Sequence, residues 1–147
     1  MTRRAWTALV VVILAAGLSA WAGHWRRERA AAGCAFDGLP IETSLRVRAT
    51  PQAGEERVFC SLRCAECWLA AAGEHGAAVY VTDEATGDEL SAEDAYYVRS
   101  RIVSHAMSGE RRHVFRSLQD AQRHAESYQG RVLVGKLRPF SAIPLTD

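Results

Sequence analysis

Val58-Phe59-Cys60-Ser61-Leu62-Arg63-Cys64-Ala65 has a counterpart later in the chain. This is Val114-Phe115-Arg116-Ser117-Leu118-Gln119-Asp120-Ala121, with valine, phenylalanine, serine, leucine and alanine in register. Both stretches read as a strand running straight into a helix. In the first, Val58 and Phe59 close an extended run, Ser61 is a good N-cap, and Leu62, Ala65, Leu69 and Ala72 recur at helical spacing. Gly73 and Gly76 end that helix, and Val79-Tyr80-Val81-Thr82 follows as a strand. In the second, Ser117 caps, and Leu118, Ala121, Ala125 and Tyr128 take the equivalent places. Gly130 then opens the strand Arg131-Val132-Leu133-Val134. Each unit also has a strand ahead of it, residues 45–49 in one and 95–98 in the other. Alternation in Leu45-Arg46-Val47-Arg48 marks the former as half-buried, and Pro51 with Gly54 turns the chain back toward residues 57–60. The expected fold is α+β, two repeated ββαβ units with halves at about residues 34–83 and 90–135.

Where the halves differ, the first carries Cys60 and Cys64 and the second Arg116 and Asp120. The thiols therefore sit on a scaffold that folds without them. With Ser61 as cap, Cys60 closes the strand and Cys64 takes the third helical position. There, unpaired N–H groups and the helix dipole favour a thiolate. At about 100° per residue, Cys64 lies beyond the margin of the apolar stripe and Cys67 points nearly opposite. A cysteine is often only a small buried hydrophobe, a role that suits Cys64 poorly and Cys67 worse.

Thiolates at a helix start suit soft-metal binding or thiol–disulfide exchange. For metal, Cys60 and Cys64 can share one ion, and Cys34, in an irregular loop with Asp37, Gly38 and Pro40, is the candidate third ligand. Such a set suits Cu(I), Zn(II) or another thiophilic cation. A structural zinc wants four ligands and would recruit Cys67, Asp37 or a histidine. Cu(I) accepts fewer and takes thioether sulfur, which points to Met107 and its neighbour His105 in the irregular segment 100–110. Residues of these two kinds in a loop are more often packing than ligand. His24, His75, His113 and His124 show no ligand spacing and read as surface residues. For exchange, Cys64-Ala65-Glu66-Cys67 is a CxxC pair, but it lies too far into the helix to straddle its start. A structural disulfide from Cys34 to Cys60 or Cys64 is a further alternative.

Residues 1–29 hold five arginines and one glutamate, which leaves 13 basic and 16 acidic residues in the rest. A mildly acidic domain has no electrostatic footprint for nucleic acid, and the local group Arg99, Arg101, Arg111 and Arg112 reads as a solvated loop. Residues 5–23 are a charge-free run of nineteen, about long enough to cross a bilayer, with Arg3 and Arg4 before it and Arg26, Arg27 and Arg29 after. Ala20-Trp21-Ala22 has the small-x-small form of a cleavage site, so a removable signal is the alternative to the uncleaved anchor we favour. The expected organisation is a transmembrane anchor or signal segment over residues 1–29, one domain over 30–135 and a C-terminal tail over 136–147. No nucleophile–base pair, general base or phosphate loop stands out, so the chain does not read as an enzyme.

Cys34 followed by Phe59-Cys60-Ser61-x-x-Cys64 resembles the heavy-metal cysteine motif of TRASH/YHS-type modules, C-x2-C and then F-C-S-x-x-C. Asp37 stands where that pattern has its second cysteine. Over most of residues 34–135 the chain also resembles the NosL-like family, accessory proteins of nitrous oxide reductase maturation. The matching segments begin with Val81-Thr82-Asp83, Thr86-Gly87 and Asp94-Ala95-Tyr96-Tyr97-Val98. They continue with Met107 ahead of a glycine, Val114-Phe115 with Asp120-Ala121, and Gly130-Arg131-Val132-Leu133. The resemblance implies an exported, membrane-attached protein of two ββαβ halves that binds Cu(I) and hands it to a cuproenzyme. It also implies Cys34 and Met107 as ligands, with His105 a weaker neighbour. Cys60, Cys64 and Cys67 are additional to that family pattern, and His-Ala-Met-Ser-Gly replaces its usual Gly-Pro-Met-Gly.

The expectation is therefore a membrane-tethered metal-binding accessory protein on the periplasmic or other extracytoplasmic side, with copper as Cu(I) favoured over zinc. Cys34, Cys60 and Cys64 are its ligands, and Met107, Cys67 and His105 the further candidates. Its partner would be a client metalloenzyme or other copper-handling protein. A thiol–disulfide oxidoreductase and a disulfide-stapled interaction module without metal are the alternatives.

Overall fold

The computed structural model describes residues 33–141. The run 5–23 and residues 142–147 lie outside them, and among the described residues no helix is long and apolar enough to cross a membrane. The elements follow as β1 (Val47–Thr50), β2 (Arg57–Phe59), α1 (Leu62–Ala72), β3 (Ala78–Thr82), β4 (Glu89–Ser91), β5 (Tyr96–Arg99), β6 (Arg112–Phe115), α2 (Leu118–Ser127) and β7 (Arg131–Leu133). Strands β2-β1-β3-β4 form one sheet and β6-β5-β7 another, every pair antiparallel. In each half the first strand is central, the helix links the two flanking strands, and the connectivity is the same. The repeat in the sequence is thus a repeat in space, two ββαβ units of an α+β protein.

The two strand–helix junctions obey the same local rule. Ser61 Oγ accepts a hydrogen bond from the Cys64 N–H at 3.3 Å, and Ser117 Oγ accepts one from the Asp120 N–H at 3.4 Å. Each serine satisfies one of the N–H groups that a helix start leaves unpaired. Gly73 ends α1 at φ 70°, a left-handed conformation that costs glycine nothing, and its N–H closes on the Leu69 carbonyl.

Val47, Phe59, Leu62, Ala65, Leu69 and Val81 of the first half pack with Tyr97, Val114 and Leu133 of the second in one core. Helix α2 covers a smaller cluster of Val98, Phe115 and Ala121. The second sheet is therefore apolar on both faces, one turned to the shared core and the other to α2. The inward stripes are shorter than the periodicity suggests, because Ala72 in α1, Leu118 in α2 and Tyr128 just after it are exposed.

Three local features depart from expectation. Leu45 ends a 3-10 turn (Thr43–Leu45), so the first strand starts at Val47. Strand β4 was not expected; with one buried residue, Leu90, in three, it is too short to show a period. After β7, the described residues up to 141 are held against the domain. Phe140 packs against the core, and the Arg138 guanidinium donates to the carbonyls of Ala92, Glu93 and Ala95.

Because Ser117 caps the half without thiols, Ser117→Ala isolates the structural value of the junction. It should lower the unfolding free energy by about 1 kcal/mol, seen as a lower urea midpoint at unchanged slope.

Candidate metal centre

Cys60 follows directly on β2, and Cys64 sits one helical turn later in α1. The tight junction at Ser61 brings their sulfurs to 3.6 Å. The other half of the site is a small turn over residues 34–39. Its Cys34 N–H donates to the Leu39 carbonyl at 2.9 Å, its Gly38 N–H to the Cys34 carbonyl at 2.8 Å, and its Leu39 N–H to Asp37 Oδ1 at 3.1 Å. Gly38 closes the turn at φ 73°. The Ala35 N–H docks the turn on β2 through the Val58 carbonyl at 2.8 Å.

Docked in this way, the turn delivers Cys34 and Asp37 to the junction. One ligand atom from each of Cys34, Asp37, Cys60 and Cys64 lies within 4.8 Å of all the others. Asp37 Oδ2 is 3.1 Å from Cys64 Sγ and 3.8 Å from Cys60 Sγ. The three cysteines are buried, while Asp37 is exposed and forms the mouth. All four cysteines of the chain are free thiols.

Four groups that all become anionic cannot all ionise side by side, and the site shows it. Burial would raise the Asp37 carboxyl, but hydrogen bonds from the Cys34 thiol, the Leu39 N–H and the other two thiols outweigh burial and hold it below the usual carboxylate value. The thiols bear the consequence. Cys60 is pushed up to about 11 from an ordinary 9.0, first by burial, then by its hydrogen bond with Cys34 and the charges of Cys34 and Asp37. Cys64 is also raised, by burial first and against a Ser61 hydrogen bond, with Asp37 and Cys60 adding to it. The helix start does not by itself yield a thiolate here. The Cys64 N–H is taken by Ser61, and the Arg63 N–H donates to Glu110 Oε2 at 3.1 Å. Near neutral pH the Cys60 and Cys64 thiols therefore keep their protons, which a bound cation would displace.

Asp37 is the residue the sequence undervalued. It appeared as a departure from a cysteine motif and as one of several fourth ligands for zinc, yet its carboxylate completes the cluster. The signal was its spacing from Cys34, where the motif places its second sulfur. Cys67 and His105 are not members of the cluster. Cys67 is on the exposed side of α1, whereas the Cys64 sulfur is turned to Cys60 and Asp37. His105 is 4% exposed, and its Nδ1 is engaged by the Ser108 hydroxyl at 2.9 Å and N–H at 3.2 Å. Met107 is 70% exposed in the β5–β6 loop. His113, read as a surface residue, is buried because its place in β6 faces α2. Burial opposes its protonation, but Glu84 Oε2 at 2.8 Å from Nδ1 prevails and raises its pKa.

A duplicated ββαβ scaffold with three buried thiols and a carboxylate meeting at a strand–helix junction defines a small α+β protein with a candidate soft-metal site. The crystal structure of the copper chaperone NosL from Shewanella denitrificans has this fold. It matches with a TM-score of 0.55 and 22% identity, over 69% of this chain and 84% of that one. What the likeness establishes is the shared fold. No family model matches the chain, and neither does any curated protein.

A folded-state pKa above the ordinary 9.0 means that folding favours the protonated Cys60 thiol. That stability is fully present below about pH 9 and is lost as pH rises through about 11. Metal-free protein should show the Cys60 thiolate absorbance only near the upper value. The stability difference from Cys60→Ser should shrink across the same window, and titration at the ordinary value would contradict the burial argument.

Proposed function

We propose that the protein is a membrane-tethered, extracytoplasmic accessory protein that carries Cu(I) and passes it to a client cuproenzyme. The observation that supports this most is the convergence of Cys34, Cys60 and Cys64, each buried, with ligand atoms within 4.8 Å. Thiolate sulfur is soft and matches Cu(I), while the hard Asp37 carboxylate adds little to such an ion. In this reading Asp37 remains at the mouth, and a sulfur ligand of the client reaches the ion from its side. The fold shared with a copper chaperone supports the same reading. The tether rests on the apolar run 5–23, and the extracytoplasmic location on the kind of protein this is. Met107, exposed in its loop, would meet the ion or the client only in the assembled complex.

One observation favours zinc as a second reading. The 3.6 Å between Cys60 and Cys64 sulfurs is close to the edge of about 3.8 Å that a tetrahedron with Zn–S near 2.3 Å requires. Asp37 would then be the fourth ligand.

Native mass spectrometry of the full chain in detergent, titrated anaerobically with each ion, tests both. One ion per chain is expected, lost in Cys60→Ser and in Cys64→Ser with the circular dichroism spectrum unchanged. Unaltered stoichiometry in both variants would sink the assignment. Asp37→Asn separates the metals, because Cu(I) binding survives it and zinc binding does not.

A further inference from the structure

At the end of the second sheet, Arg99 of β5 pairs across the ladder with Arg112 of β6 on one side and Arg131 of β7 on the other. Two residues along, Tyr97 pairs with Val114 and Leu133, and these three lie in the shared core. Residues two apart on a strand point to the same face. The row of three arginines therefore continues the core-facing surface past the point where the core ends. Like charges placed directly opposite each other weaken a sheet.

Arg112 is compensated, with Glu66 and Glu110 carboxylates each at 2.7 Å. Glu110 is fully engaged there, since it also accepts from the backbone N–H groups of Arg63, Arg111 and Arg112. Arg99 and Arg131, together with Arg63 and Arg111, line the same cleft of about 310 Å3. Among the described residues, none of these four guanidinium groups pairs with a carboxylate. Composition does not account for this, because the chain beyond residue 29 has more acidic than basic residues.

We propose that the cleft is an oxyanion site, which takes a phosphate- or carboxylate-class group between Arg99 and Arg131, with Arg63 and Arg111 closing on it. The guanidinium fork matches the paired oxygens of either group. The anion supplies the charge that the arginine row lacks. The source is a free small anion or the acidic side chains of a protein partner, since both present the same oxygens. The inference stands apart from the metal proposal.

The test uses the full chain in detergent at low salt, with inorganic phosphate and hexaglutamate as probes. Phosphate should raise the thermal midpoint above that in chloride of equal ionic strength, or hexaglutamate should bind by fluorescence anisotropy. The first result identifies a small anion and the second an acidic protein segment. Charge-assisted hydrogen bonds of this kind make binding about tenfold weaker or worse when lost, so Arg99→Gln/Arg131→Gln should show that drop. Relief of the opposed charges should also raise the variant's midpoint in chloride. Either single substitution should give part of both effects, and Arg123→Gln, on α2, neither. No response to either probe beyond the ionic-strength control, or an equal response in the double variant, would overturn the proposal.

Discussion

A strand that runs directly into a helix must satisfy the N–H groups that open the helix, and the cap at Ser61 decides where everything nearby goes. Its hydroxyl fixes the first turn of α1 on the Cys64 N–H, so Cys60 and Cys64 flank one serine with their sulfurs at 3.6 Å. The second half makes the same junction at Ser117 with no thiol near it. The junction geometry that gathers the sulfurs is thus a property of the scaffold, and Cys34, Cys60 and Cys64 are buried in its core.

The cluster is a problem in charge as well as geometry. Three thiols and a carboxylate within 4.8 Å offer one ion a complete set of donors. They also repel one another as soon as more than one is ionised. Asp37, hydrogen-bonded and at the rim, holds its charge, and the buried thiols Cys60 and Cys64 keep their protons. A soft cation that enters such a site exchanges places with protons, so its hold depends on pH even though the sulfurs are already in position.

The second sheet shows how one alternating pattern serves two ends. Its core-facing row is apolar at Tyr97, Val114 and Leu133 and becomes arginine at Arg99, Arg112 and Arg131. Among the described residues only Arg112 of these three pairs with carboxylates. Arg112 and Glu110 tie this end of the sheet to the first turns of α1, through the Arg63 N–H and the Glu66 carboxylate. The β5–β6 loop, which carries His105 and Met107, is thereby anchored to the helix that carries Cys64. The arginine cleft and the thiol cluster share one helix.

Local chemistry was legible in the sequence. The Ser61 and Ser117 caps, the bounds of α1, the doubled ββαβ order and the pairing of Cys60 with Cys64 all follow from spacing over a few residues, where backbone hydrogen bonding and helical period leave little choice. Strand β4 and the held stretch after β7 were not legible, because a three-residue strand has no period and the Arg138 contacts reach back more than forty residues. The same limit applies to the site. That Cys34 joins the other thiols, that Asp37 comes with it, and that Cys67 and His105 stay out depend on where the turn over residues 34–39 docks. One backbone hydrogen bond from Ala35 to Val58 marks that docking. Side-chain spacing reports the chain's own neighbours. Only the packed tertiary structure decides which distant backbone groups meet, because that choice is made by burial and hydrogen-bond satisfaction over the whole domain.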